Sequence, residues 1–244
     1  MNRAPIFLLM TVFLVSGAGC ARKERVLLPQ ERPFYGGVLS PQELALESKR
    51  NDALIKQTGS KGAAVQETLE EALATYQRGY FELAMHRYNQ AWLMDPKNPE
   101  VFNGFALVLS AQNKFDEALA IHQKYLEYDP DHAMTLCRMA RLTQDKAVYL
   151  LAGDEVTGVQ ETEAGALLEK ALELYDRAAQ KATIRRDLSY LYYQCAIALA
   201  IKRDIAGAWD KVRLSRQYGG EFIEKKFLES LAKDGPEPPP AASP

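Results

Sequence analysis

Apolar residues recur at helical spacing along most of this chain, from about residue 40 to residue 233, so the pattern is that of an all-α protein. The first helix carries its own boundary chemistry. Ser40-Pro41-Gln42-Glu43 supplies an N-cap, a proline in the first turn and a glutamate three residues on, and Gly59 offers the stop. The expected helix runs over 41–57.

Beyond it the pattern repeats. "YFELAMHRYNQAWLMDP" (80–96) and "KFDEALAIHQKYLEYDP" (114–130) share one skeleton at an offset of 34 residues: Phe81 with Phe115, Ala84 with Ala118, Asp95-Pro96 with Asp129-Pro130. Ala72 and Ala84 stand twelve residues apart, as do Ala106 and Ala118 and, further on, Ala196 and Ala208. This resembles the tetratricopeptide repeat, a helix–turn–helix unit of about 34 residues. The resemblance implies that the paired alanines meet where the first helix of a repeat crosses the second. It also implies that large residues such as Phe102, Phe115 and Tyr88 fill the space toward the next repeat. Proline after the second helix ends it.

A third repeat starts at Ala133 but is opened by an insertion, expected as a projecting loop over 152–165, before Ala171, Tyr175 and Ala178 resume the spacing of Ala84, Tyr88 and Ala91. A fourth starts near Ser189 and closes at Gly219-Gly220. The segment from Glu221 to Lys233 has an apolar stripe suited to covering the end of a stack. The fold class is thus an all-α, right-handed α-solenoid of about four such hairpins, with an N-terminal helix and a C-terminal capping helix, over 40–234.

The two ends have another composition. "MNRAPIFLLMTVFLVSGAGC" has one positive charge, Arg3, an apolar run too short to span a bilayer, and small residues before Cys20. It resembles a bacterial lipoprotein signal peptide (1–19), which implies lipid attachment at Cys20. Ala21 after that cysteine resembles the outer-membrane sorting pattern, with the protein facing the periplasm. Residues 20–39 mix charges, two prolines and a glycine pair and are expected to be a flexible tether; 235–244 is Pro-rich and expected to be disordered.

Composition narrows function mainly by exclusion. A formal net charge of −2 offers no field for nucleic acid. With three histidines and no GxSxG, HExxH or CxxC arrangement, no catalytic, cofactor or metal residues are expected. His86 and His122 lie on second helices, one expected solvated and the other packed in the interior. Asp154, Glu155, Glu161 and Glu163 in the insertion lack the ligand order of a calcium loop. Cys137 and Cys195 are expected as two semi-buried thiols.

The resemblance places first-helix side chains along a concave groove: Leu69, Leu73, Tyr76, Asn103, Leu107, Cys137, Arg138, Arg141, Gln144, Tyr190, Tyr193, Ile197 and Ile201. Apolar ends with Arg138 and Arg141 between them suit an apolar segment carrying a carboxylate. Leu69 and Leu73 stand where the family's carboxylate-clamp variant needs polar residues, so that variant is excluded. The expected role is a non-enzymatic scaffold that binds another envelope protein or peptide segment. A self-associating structural lipoprotein is the alternative, and a cell-wall hydrolase the weaker one.

Overall fold

The computed structural model describes residues 27–239 except Asp154; Cys20 and the leader lie outside the described residues. Ten α-helices and no strands occur among the described residues: α1 Pro41–Thr58, α2 Lys61–Gln77, α3 Phe81–Met94, α4 Pro99–Ala111, α5 Phe115–Leu126, α6 Ala133–Leu151, α7 Gly158–Lys181, α8 Arg185–Ile201, α9 Ile205–Gln217 and α10 Lys225–Asp234. They fall into two compact units that divide after Lys146.

In the first unit α2 packs on α3 and α4 on α5, while α3 joins the two hairpins by packing on α4. Ala72, Ala84, Ala106 and Ala118 are all buried, as backbones in close contact require, and Phe102, Phe105, Tyr88 and Met85 fill the layer between hairpins. Ser40 caps α1 reciprocally with Glu43, and Gly59 ends the helix in the left-handed conformation at φ 82°. α1 packs on α2 and α3, and Asn51 donates to the Gln90 carbonyl at 3.3 Å.

In the second unit α8 and α9 form the closest hairpin, with Ala196 and Ala208 fully buried. Ser189 and Ser215 fasten the open end of that pair: the Ser215 hydroxyl donates to the Ser189 carbonyl at 2.8 Å, and the Gly220 amide donates to the Ser189 Oγ at 3.0 Å.

Four expectations are corrected. The insertion is not a loop over 152–165: among the described residues only 152, 153 and 155–157 are irregular, because α7 begins at Gly158 and runs for 24 residues. Thr157 and Gln160 form a capping box, and Ala147, Ala164 and Leu168 bury a small core of their own, flanked by Leu150, Leu151 and Leu167. The stretch over 27–39, expected as tether, carries two 3-10 turns, Pro29–Glu31 and Pro33–Gly37, packed on α3. At the other end, 235–239 lies against α9. Trp209 Nε1 donates to the Gly235 carbonyl at 3.0 Å, Arg213 donates to the Pro238 carbonyl at 3.2 Å, and Arg216 pairs with Glu237 at 2.9 Å. The capping helix also starts later than Glu221, at Lys225, after the left-handed Gly219-Gly220 turn.

Candidate functional site

Leu73, Leu107 and Arg141 stand 34 residues apart, so each occupies the same place on α2, α4 and α6 of the first unit. Leu73 is 41% exposed, Leu107 half-buried, and Arg141 exposed. Tyr76, one helical turn beyond Leu73, lies half-buried with its ring 5.7 Å from that of Phe81. Burial raises the Tyr76 phenol above its ordinary pKa, against the influence of Arg141, with the charge of Asp145 adding to the rise. Arg141 Nε stands 3.9 Å from Asp145 Oδ2. Burial pushes the Asp145 carboxyl up to about 6, partly offset by Arg141.

Asn103 is half-buried, and Leu69 belongs to the core. Arg138 has an internal partner: it holds Glu100 through both carboxylate oxygens, at 2.7 and 2.9 Å. Of the expected arginine pair, Arg138 is therefore engaged within the chain through Nη2, a charge-assisted contact that a partner's carboxylate would have to displace.

The second-unit part of the expected groove is covered by its own chain. Tyr193 and Ile197 are buried under α10, with the Tyr193 ring edge-on to Phe227 at 5.5 Å, and Tyr190 meets Phe222 at 5.3 Å. The reason is the apolar stripe of α10: Phe227 and Leu231 need a partner, and α8 supplies it. Ile201 packs partly buried in the same layer.

The interior histidine is His122, which burial, reinforced by the charge of Arg138, drives down to about 3. His86 is the more open one, its Nε2 3.6 Å from the Glu47 carboxylate. Cys137 and Cys195 are both buried, and burial raises the Cys195 thiol to about 11. No group of three metal-ligating side chains occurs among the described residues.

Sequence reasoning missed a second constellation. Asn89, fully buried on α3, bonds three backbone groups of residues 30–35. Phe34 enters the first unit's core against Trp92, Phe102 and Phe105. The available signal was Phe34-Tyr35 itself, two large aromatic residues between a proline and a glycine pair in a stretch otherwise read as linker.

Two stacked helical hairpins with paired small residues at the crossing define one repeat type. Residues 66–137 match the family model of the tetratricopeptide repeat. The matched segment runs from within α2 to the start of α6 and takes in most of the first hairpin and all of the second. No curated protein matches the chain. Repeats of this type generally bind other proteins through the surfaces their helices expose.

Proposed function

We propose that this chain is a lipoprotein of the bacterial outer membrane whose tetratricopeptide repeats hold another envelope protein in the periplasm, as a scaffold with no catalytic step. The row Leu73, Leu107 and Arg141 carries the reading: an apolar pair followed by a cation at identical repeat positions, left accessible on the first unit. It suits a segment with apolar anchors and one carboxylate, with Arg141 the cation that meets it. Cys20, after the leader ending Gly17-Ala18-Gly19, is the attachment point.

Two measurements test this. The mass of the purified N-terminal peptide should show an acylated Cys20, and Cys20→Ser should leave the protein uncleaved at that site or outside the outer-membrane fraction. Crosslinking from membranes with a tag after Pro244 should recover one partner in near-stoichiometric amount. The pair Leu73→Glu and Arg141→Glu should abolish that recovery. Recovery of the bait alone would reject the scaffold in favour of self-association.

A further inference from the structure

The side-chain amide of Asn89 makes three hydrogen bonds, all of them to main chain. Its Oδ1 accepts from the Tyr35 amide at 3.1 Å, and its Nδ2 donates to the carbonyls of Gln30 at 3.1 Å and Arg32 at 2.7 Å. Contacts of that kind fix the path of a strand rather than the identity of its side chains. The identity is read next to it. The Phe34 ring lies 5.4 Å from Trp92, 5.6 Å from Phe102 and 4.9 Å from Phe105, with Lys124 Nζ 4.7 Å above its centre. Tyr35 is 2% exposed, its phenol raised by burial and by the neighbouring Glu47 of α1.

The backbone there is costly. Phe34 and Tyr35 have φ of 56° and 53°, and Gly36 and Gly37 follow at 64° and 71°. Glycine takes such values without penalty, but aromatic residues take them only where their surroundings impose it. A segment with no docking role would have no reason to hold two of them in succession.

We propose that residues 28–37 act as a ligand bound in cis to a cleft of α1, α3, α4 and α5, and that this docking sets how far the repeats stand from the membrane. The second half rests on lipid attachment at Cys20. With the strap docked, the chain between Cys20 and Leu28 reaches at most about 27 Å, at roughly 3.4 Å per residue. With it released, the reach extends to the α1 cap at Ser40 and rises to about 68 Å on the same basis. The cleft is thus a length control: docked, it holds the α3 side of the first unit near the anchor.

Hydrogen exchange on the full chain extracted from membranes tests the docking. The Tyr35 amide should exchange as slowly as helix amides, and Phe34→Ala should speed it by roughly a hundredfold while α2–α5 keep their protection. An unprotected Tyr35 amide in the unaltered chain would overturn the proposal, whether or not Phe34→Ala folds. For the length control, a dye at Leu83→Cys, on an exposed position of α3, should transfer energy to headgroup acceptors in vesicles at least twofold less in Phe34→Ala. Equal transfer with a released strap would remove the membrane half. An unacylated Cys20 by mass would reject the anchoring reading and with it the length control, and the exchange result would judge the docking separately.

Discussion

Arg203 shows how much one backbone angle explains. It stands at the place in its repeat that Gly79 and Asn113 hold in theirs, and all three are left-handed, with φ of 81° for Gly79, 60° for Asn113 and 67° for Arg203. The turn geometry repeats as well: the amide of each residue bonds back three positions, and that of the following residue five positions. Glycine and asparagine suit that conformation and arginine does not, while the Arg203–Asp234 contact at 3.5 Å is exposed and worth little. Arg203→Gly should therefore raise stability by about 0.5–1 kcal/mol, read as a higher urea midpoint at unchanged slope. Two titrations, of buried His122 and half-buried Asp145, oppose each other at the same scale. His122 binds its proton near pH 6.5 when unfolded and only near 3 when folded, so its contribution to stability falls as pH drops through that window. Asp145, raised from 3.8 to about 6, does the reverse: the folded chain keeps a proton that the unfolded chain releases, so acidification from 6 toward 4 favours folding. Relative to wild type, Asp145→Asn should lose stability more steeply between pH 6 and 4.5, by about 1 kcal/mol per pH unit. His122→Gln should deviate the opposite way, and equal pH profiles for the three proteins would contradict both assignments.

Elements were legible where their boundaries carry explicit chemistry. The Ser40 and Gly59 ends of α1 were readable, as were the paired alanines, because caps and small-residue crossings act locally. The insertion hides its helix for a related reason: its glycines and acids have the composition of a loop, and only the box formed by Thr157 and Gln160 marks the start of α7. That cap is testable. Thr157→Ala should cost about 1 kcal/mol and speed exchange in the first turns of α7, leaving α8 and α9 unchanged. The strap was not legible, because its docking depends on Asn89, more than fifty residues away, and on a cage of three rings from two helices. The expected groove failed at Leu69, Cys137 and Gln144, which are buried, and at Tyr193 and Ile197, because an apolar stripe in α10 does not announce which face it will cover.

At the scale of the whole molecule, each unit contains one of the two tryptophans, half-buried Trp92 in the first and buried Trp209 in the second. Their fluorescence can follow the units separately. A Cβ built on Gly104 would come within 2.1 Å of the Tyr88 ring, so Gly104→Ala should destabilise by about 1–3 kcal/mol. Repeats couple chiefly to their neighbours, so the shift should be larger in the Trp92 transition than in that of Trp209. Advancing both positions of this seam by one repeat gives His122 and Arg138, again a ring on the second helix influenced by a residue of the next first helix. One copy fits a large ring against an absent side chain, and the other a smaller ring beside a long one. Copies of an ancestral unit that drift apart can therefore change this joint only two residues at a time, and any single exchange between the copies would leave either a clash or a void.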